Sequence, residues 1–377
     1  MKNRLLSIQI LADDPLQQIK NQWLSKVYRK SESSRSKQVV LVSLNMFRLF
    51  CENQGKTESE MIKEYQTYAK DNDFRNVGLS LDNFVQFLNE DHPEIILRKN
   101  QFETSFKKKS GKTIRTYFGF VKSYLRICHD VRLTIDDVKD YITFPKPRKE
   151  PRRAIDIKIL KKIFSNSSPS RRALYSVLIS SGMRIGEALA LTPNDFHLDE
   201  NPVRITIDAE ITKTKEGRET YISSEAVDKV KPIIETKEDN EKIFAVAEEN
   251  HLAVIYEEKV FFDLRKKLGL VEKYKNSNRF VVNIHSFRAY FHTKASQKHG
   301  SDYANALDGH GAYLKQYYRE TPQERAKKYK ELESSLFIES YKVEVGSKAK
   351  DELIENLQES MARLQDKMTR LEFLNKP

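Results

Sequence analysis

The chain has 377 residues, and its 66 lysines and arginines against 54 aspartates and glutamates give a formal net charge of +12 and a pI near 9.3. That length can supply cores for two or three domains without disulfides or structural metals, and no apolar run approaches the roughly 20 residues that cross a bilayer. Small disulfide scaffolds and membrane-spanning proteins are therefore excluded, and the positive charge favours a polyanion such as nucleic acid as the partner.

Residues 1–37 are predicted to form an N-terminal arm. A short helical pattern, LQQIKNQWLSKVY, is followed there by the polar stretch RKSESSRSK, which is typical of a mobile linker. From residue 38 to residue 143, apolar residues recur at helical spacing in segments such as VVLVSLNMFRLFCEN and TIRTYFGFVKSYLRICHD. This second region is predicted to be a small helical domain.

The segment FPKPRKEPRR, residues 144–153, interrupts the helical pattern and marks a predicted domain boundary. Its prolines keep the chain extended, as in a semi-rigid linker. Its basic side chains are candidates for contact with a DNA backbone: Lys146, Arg148, Lys149, Arg152 and Arg153.

Residues 154–338 are predicted to form a second, mostly helical domain that contains one β-hairpin. Helical patterns such as DIKILKKIFSNS and SRRALYSVLISSGMRIGEALAL come first, and the strand-like runs VRITIDAE and ETYIS then flank the polar TKTKEGR. Helices resume at SEAVDKVKPII and continue to Leu336. The fold class is therefore mainly α (α+β), with a helical N-terminal domain and a helical second domain with a small hairpin.

Residues 339–377 are predicted to form a helix of coiled-coil type. Apolar residues step by three and four along it, at Ile354, Leu357, Met361, Leu364, Met368 and Leu371. That spacing is an a/d seam of under three heptads. The helix either joins protomers as a short coiled coil or docks on its own chain.

Four motifs in the second domain carry groups that suit phosphate chemistry. Arg184 follows a glycine turn in SSGMRIGEALALT, and Lys213 lies at the edge of the polar hairpin. His285 and Arg288 are three positions apart in IHSFRAYF and share a helix face. The segment LDGHGAYLKQYYR then places His310 after a glycine and adds the aromatic pair Tyr317 and Tyr318.

In this order, the groups match one known chemistry. Two guanidinium groups can hold the non-bridging oxygens of a phosphodiester and stabilise the charge of its transition state. Histidines and a lysine can move protons, and a tyrosine phenol can attack phosphorus to form a covalent link that conserves the bond for resealing. This chemistry needs neither metal nor ATP. No cofactor is expected, and no metal either, because the histidines His285, His292, His299 and His310 lack liganding partners at zinc spacing.

The motifs SGMRIGEALALTPND, TKTKEGRETYIS, HSFRAYF and LDGHGAYLKQYYR resemble those of tyrosine recombinases of the phage-integrase superfamily. The version with YYRETPQERAKKYKELESSLFI after the histidine is most similar to integrases of archaea and their mobile elements. The resemblance implies that Arg184, Lys213, His285, Arg288 and His310 activate the phosphate, with Tyr317 as the nucleophile.

Two assignments within this resemblance stay open. The family usually places nine residues between the second histidine and the tyrosine, whereas here the interval is seven to Tyr317 and eight to Tyr318. The YxR pattern favours Tyr317, Tyr318 is the first alternative, and Tyr313 and Tyr329 are others. Lys215 is the alternative to Lys213.

The N-terminal helical domain is predicted to bind the DNA core site, because such recombinases clamp DNA between two domains. Basic residues that would meet phosphates cluster near the start of one helix: Lys107, Lys108, Lys109, Lys112 and Arg115. The resemblance further implies a double-stranded recombination site as the partner, a dimer on that site and a tetramer in synapsis.

The predicted activity is site-specific recombination of the integrase or transposase type, through a 3′-phosphotyrosyl intermediate. One alternative is a type IB topoisomerase, which shares the chemistry without joining two DNA partners. The other is a catalytically silent, architectural DNA-binding protein. A cytoplasmic, nucleoid-associated protein is expected, because the N-terminus lacks a secretory cleavage site and Cys51 and Cys128 are predicted to be buried free thiols.

Overall fold

The structure is a computed structural model, and it describes residues 15–31, 34–99, 102–146, 150–212, 214–275, 279–310, 320–339 and 348–374. The chain divides into two compact units, Met1–Glu150 and Pro151–Pro377, here called the N-unit and the C-unit. The division falls inside the basic, proline-containing segment 144–153. None of the described helices is long and apolar enough to cross a membrane.

The described part of the N-unit is helical with one two-stranded antiparallel sheet. In chain order its elements are α1 (Pro15–Ser31), α2 (Ser34–Asn53), α3 (Glu58–Lys70), α4 (Phe74–Asn89), β1 (His92–Lys99), β2 (Phe102–Phe106), α5 (Gly111–His129) and α6 (Ile135–Tyr141).

Local signals set the bounds of these helices. Thr57 and Glu60 form a capping box at the start of α3, in which each side chain accepts a hydrogen bond from the other residue's backbone N–H. Ser110 caps α5, and Asp130 ends that helix with left-handed backbone at φ 55°. The apolar faces meet in an aromatic-rich core around Phe47, where Phe84 packs edge-on.

Two predictions for the N-unit differ from the structure. The stretch RKSESSRSK is not a linker, because α1 reaches Ser31 and α2 begins at Ser34. Trp23 and Leu24 of α1 are buried in the core, so this helix is part of the unit rather than an arm. The β1–β2 sheet was not predicted, because its bulged register interrupts the alternation that identifies a strand.

The C-unit contains the predicted helices and sheet. In chain order its named elements are α7 (Ile157–Ser165), α8 (Pro169–Ser181), α9 (Ile185–Ala188), β3 (Phe196–His197), β4 (Val203–Ile207), β5 (Arg218–Ile222), α10 (Ser224–Ile234), α11 (Asn250–Lys267), α12 (His285–His299), α13 (Ser301–Asp308), α14 (Pro322–Glu333) and α15 (Lys348–Leu374).

Helix α8 is the central element of the C-unit core. Every residue from Ala173 to Ser181 is buried, and the helix packs against α10, α12 and β5. It ends at Gly182, whose left-handed φ of 67° lets the chain turn into α9. The sequence predicted a turn at Gly182, and the structure shows two helices, α8 and α9, on either side of it.

Strands β4 and β5 pair antiparallel, as the hairpin prediction requires, with Ile205 opposite Thr220. The short β3 adds a third strand, in the order β3-β4-β5. Alternate residues of β4 are buried, which anchors the sheet in the same core as α8. The sheet therefore holds Arg218, at the start of β5, against the core.

Candidate active site

Arg184 is held at the start of α9 by its own helix. Its backbone N–H donates to Glu187 Oε2 at 2.8 Å, and its Nη1 donates to Glu187 Oε1 at 2.8 Å. Glu187 is almost fully buried, whereas the side chain of Arg184 is 28% exposed. The carboxylate thus orients a guanidinium that still reaches the surface.

Arg218 binds the same carboxylate from the sheet. Its Nη2 donates to Glu187 Oε2 at 2.5 Å, and its Nε donates to the Leu307 carbonyl at 3.0 Å. Burial acts to raise the pKa of Glu187, but the hydrogen bonds and charges of Arg218 and Arg184 outweigh it, so the pKa is lowered. Glu187 therefore stays ionised and ties α9, β5 and the end of α13 together.

Arg288 lies deeper, with its side chain 2% exposed. Its Nη1 donates to the Gly182 carbonyl at 2.7 Å and to the Asp308 carbonyl. Its Nε is buried and finds no acceptor among the residues that the structure describes. Burial and the nearby Arg184 lower the pKa of Arg288 to about 10, against the opposing charge of Asp308, and the guanidinium stays protonated at neutral pH. A buried donor without an acceptor suits an anion as ligand.

His310 is positioned by Asp308, which is completely buried. Gly309 adopts a left-handed φ of 78° at the end of α13, and His310 then turns back so that its Nδ1 lies 2.9 Å from Asp308 Oδ2. His292 of α12 makes a second contact with that carboxylate, Nδ1 to Oδ2 at 2.8 Å. Arg288 Nη2 lies 3.1 Å from His310 Nδ1. One carboxylate thus orients two histidines beside Arg288.

His285 opens α12 and is exposed at the surface of the site. Loss of hydration from surrounding atoms lowers its pKa below the usual 6.5, and the positive charges of Arg288, Arg152, His310 and Arg184 lower it further. His285 is therefore neutral at physiological pH and able to accept a proton.

The assembled cluster carries an excess of positive charge. The guanidinium groups of Arg184, Arg218 and Arg288 are neutralised only in part by the carboxylates of Glu187 and Asp308, both of which are buried. Arg184, His285 and His310 lie at its exposed side. This arrangement is suited to a single phosphate group rather than to a neutral ligand.

The expectation that the histidines lack close liganding partners is wrong for His292 and His310. Together with Asp308, they offer three ligand atoms that lie within 4.8 Å of one another. Arg288 Nη2, however, is 3.5 Å from Asp308 Oδ1, and a divalent cation would be repelled by this buried guanidinium. The three residues fit a hydrogen-bonded triad better than a metal centre.

Several predicted site residues lie outside the described residues. These are Lys213, the tyrosines Tyr313, Tyr317 and Tyr318, and Arg148 and Lys149 of the linker. Of the alternatives, Lys215 occupies the sheet turn with left-handed backbone at φ 57°. Tyr329 is a core residue: it is fully buried and donates to the Ser180 carbonyl at 2.6 Å, which leaves it unsuited to attack a phosphate.

The predicted DNA-contact residues differ in exposure. Lys107, Lys108, Lys112 and Arg115 are exposed at the start of α5, and Lys146 is exposed in the linker. Lys109 is partly buried over the ring of Phe106, with its Nζ 4.2 Å from the ring centroid, and this burial lowers its pKa. Lys109 is therefore less available to a phosphate than its neighbours.

Arg152 and Arg153, the linker arginines that belong to the C-unit, differ in whether they form an ion pair. Arg153 donates to Glu272 Oε1 at 2.7 Å, in a surface ion pair. Arg152 is exposed, and its charge acts on His285. Arg152 thus contributes to the electrostatics of His285, which its place in the linker segment did not predict.

Sequence reasoning missed Glu187, Arg218, Asp308 and His292. The spacing of Glu187, three residues after Arg184, is the one signal that could have identified a helix-start partner. Arg218 and Asp308 stood within the quoted motifs, but Arg218 meets Glu187 across 31 positions and Asp308 meets His292 across 16, in addition to its near neighbour His310. Only the folded chain shows these pairs.

Residues 154–321 match the phage integrase family. The match spans the two arginines, the two histidines and the sheet turn of the site described above. It also includes the residues of the tyrosine motif. The match lies within residues 154–338, the second domain predicted from the motifs.

A search of solved structures finds similar chains at low identity. XerA recombinase is 19% identical over 78% of this chain and 98% of that chain, with a TM-score of 0.35. XerH site-specific recombinase bound to its difH substrate is 18% identical over 83% and 84%, with a TM-score of 0.46. The integrase of mycobacterium phage Brujita is 14% identical over 89% and 96%, with a TM-score of 0.39. No curated protein matches this sequence.

Proposed function

We propose that this protein is a site-specific DNA recombinase, of the integrase or transposase type, that cleaves and rejoins DNA strands through a 3′-phosphotyrosyl intermediate. The observation that carries the proposal is the convergence of Arg184, Arg288, His285 and His310 on one exposed, positively charged site within an integrase domain. The orphan Nε of Arg288 supplies a donor for a phosphate oxygen.

The proposed cleavage is a transfer of one phosphoryl group. The phenol of Tyr317, or of Tyr318, attacks the scissile phosphorus and gives its proton to a base, for which neutral His285 is suited. The bond from phosphorus to the 5′ oxygen breaks, and that oxygen takes a proton from Lys213 or His310. A 5′ hydroxyl of a partner strand then attacks the phosphotyrosine and restores the phosphodiester and the phenol.

The two arginines act on charge rather than on protons. They donate to the non-bridging oxygens, where negative charge accumulates in the pentavalent transition state. Asp308 and Glu187 hold these groups in place before DNA arrives, so little reorganisation is needed at the moment of reaction. Removing one such donor typically lowers a rate by about 10²- to 10³-fold.

The remaining parts of the proposal concern partners and context. Double-stranded DNA is the proposed partner of both the N-unit and the C-unit, bound by a dimer on each site and a tetramer in synapsis. The proposed similarity to archaeal integrases rests on the YYR motif and on the following helix, which ends near LFI. A cytoplasmic, nucleoid-associated location follows from the proposed DNA substrate.

The test is relaxation of supercoiled plasmid in EDTA without ATP, with SDS-stable protein–DNA adducts scored in parallel. Wild-type protein should form adducts, Arg288→Ala should reduce their rate by about 10²-fold or more, and Tyr317→Phe should abolish them. Loss of adducts in Tyr318→Phe alone would identify Tyr318 as the nucleophile.

The outcomes separate the competing functions. Relaxation with adducts, but without exchange between two DNA molecules that carry the same cleavage site, would identify a type IB topoisomerase. Salt-sensitive binding without adducts, on plasmid and on DNA flanking the gene's own locus, would contradict the recombinase proposal and favour an architectural protein.

A further inference from the structure

Asp308 is the last residue of α13, and its completely buried carboxylate contacts two histidine rings. His310 Nδ1 lies 2.9 Å from both carboxylate oxygens, and His292 Nδ1 lies 2.8 Å from Oδ2. An ionised carboxylate only accepts hydrogen bonds, so each Nδ1 carries a hydrogen. Because the hydrogen bond at one ring nitrogen fixes the tautomer, Nε2 is the nitrogen at which His310 gains or loses a proton.

Arg288 opposes Asp308 at the same ring. Its Nη2 lies 3.1 Å from His310 Nδ1 and 3.4 Å from His310 Nε2. A guanidinium at this distance disfavours an imidazolium, whereas a carboxylate favours it. The proton affinity of His310 therefore depends on how strongly Asp308 attracts the charged ring.

Other charged or titratable groups around this pair of histidines come from the linker, α9, β5 and the start of α12: Arg152, Arg184, Glu187, Arg218 and His285. Arg218 lies against the turn before His310, because a Cβ on Gly309 would be 3.1 Å from the Arg218 Cζ. Within the described part of the chain, Asp308 is the one carboxylate that accepts a hydrogen bond from His310. The negative charge that stabilises a protonated His310 thus comes chiefly from a group that His292 shares.

We propose that His292 is a positioning residue of this site, which limits the pull of Asp308 on His310 by donating a hydrogen bond to the same carboxylate. A donor stabilises the charge of a carboxylate, and less of that charge is then left to stabilise a neighbouring imidazolium. His292 lies one helical turn after Arg288, and its ring meets that of His310 edge-to-face with the centroids 5.5 Å apart. Without this donor, Asp308 would hold the proton of His310 more tightly.

The consequence for catalysis rests on the proposed recombinase function, with His310 rather than Lys213 as the proton donor. In cleavage, the protonated ring gives its Nε2 proton to the 5′ oxygen that leaves phosphorus. In rejoining, the neutral ring takes that proton back from the attacking 5′ hydroxyl. One group performs both transfers well only if its proton affinity suits the working pH. A ring held firmly in the charged form would donate slowly and would fail as the base.

The first test follows the ring protons directly and needs no DNA. The full-length protein, labelled with ¹⁵N at histidine and kept in EDTA, is titrated by NMR, and the spectrum of His310→Asn assigns the His310 signals. His292→Phe and His292→Leu both remove the N–H donor, so the titration midpoint of His310 should rise by about one pH unit. Two effects share this sign, since Asp308 attracts the ring more strongly and no positive charge can form at residue 292.

Two variants separate this role from packing. His292→Asn restores a donor, because its Nδ2–H takes the place of the ring Nδ1–H, and the midpoint should return to that of the wild type. His299→Phe is the matched control on the same helix. The ring of His299 bonds to the Lys328 carbonyl at 2.8 Å, so its loss should leave the His310 midpoint in place.

Three results would overturn the proposal. An unchanged midpoint in His292→Phe and His292→Leu would show that the shared hydrogen bond has no effect on His310. An equal rise in His292→Asn would show that the change depends on the ring and not on the donor. Tight binding of zinc, added in place of EDTA and lost in His292→Phe, would identify His292 as a metal ligand instead.

Single-turnover cleavage connects the shift to the reaction. The rate should fall as the pH rises through the midpoint of the donor, so the basic limb of the pH profile should move upward in His292→Phe and not in His292→Asn. A basic limb that stays in place while the NMR midpoint rises would overturn the catalytic part of the proposal. If the wild type forms no covalent adducts, the proposed recombinase function fails, while the NMR titration still decides whether His292 limits the pull of Asp308.

Discussion

Arg152 illustrates how a single linker residue takes part in the site. Its charge is one of four that lower the pKa of His285, although the sequence suggested only a role in following the DNA backbone. The next residue, Arg153, is paired with Glu272 instead. Two neighbouring arginines of the same motif therefore have different roles.

The acidic limb of the pH profile of the cleavage rate should depend on Arg152. A positive charge disfavours the imidazolium, so removing one raises the pKa of His285, and the neutral base is lost at a higher pH. We expect Arg152→Gln to shift the acidic limb upward and Arg153→Gln to leave it in place. Single-turnover cleavage at saturating DNA, measured across about pH 5 to 8, checks this; equal limbs in the two variants would contradict it.

At the scale of elements, the turn between α8 and α9 leaves no room for an added side chain at Gly182. Gly182 has a left-handed backbone, and a Cβ there would lie 2.2 Å from Phe291 Cδ1. Its carbonyl accepts from Arg288. A short glycine turn thus holds two elements and one candidate catalytic residue in register.

Gly182→Ala should lower the free energy of unfolding by about 2–4 kcal/mol, because backbone strain and a clash with a ring act together. Gly186→Ala is the matched control: it lies within α9, and its Cβ would be 3.6 Å from Val254 Cγ2, an ordinary contact. We expect a change within about 1 kcal/mol there. Urea unfolding followed by circular dichroism is the measurement, since the one tryptophan, Trp23, reports on the N-unit. An equal loss of unfolding free energy in the two variants would contradict the expected clash at Gly182.

At the scale of the whole molecule, the net charge of +12 is the property expected to set the affinity of the proposed DNA binding. The excess lies partly in the exposed residues at the start of α5. These side chains would meet phosphates and set position rather than sequence. Their contribution should therefore be the same for any DNA sequence.

Replacing Lys107, Lys108 and Lys112 with alanine should weaken binding to specific and nonspecific duplexes alike. Each lost phosphate contact should reduce the slope of log K against log salt by about 0.9. Lys139→Ala is the control, because Lys139 is paired with Asp136 at 3.1 Å. Fluorescence anisotropy over about 50–200 mM salt measures the slope. An unchanged slope in the triple variant would mean that DNA does not contact this helix start.

The sequence by itself determined the helical periods, the β4–β5 pairing and the order of basic, histidine and tyrosine groups that resembles the phage integrase family. These features depend on local spacing, which a linear chain displays directly. The missed β1–β2 sheet and the helix α1 in the core show the limit of that information, since burial and strand pairing depend on residues elsewhere.

Only the tertiary structure decided which partners hold the site and which face of α15 is free. Arg218 reaches Glu187 across 31 positions, His292 shares Asp308 with His310, and Asp366 pairs with Arg171 nearly 200 positions away. Such contacts are set by how elements pack, and a buried carboxylate is stable only where packing brings it a donor. The heptads predicted that α15 has an apolar seam, but only these distant ion pairs left that seam exposed.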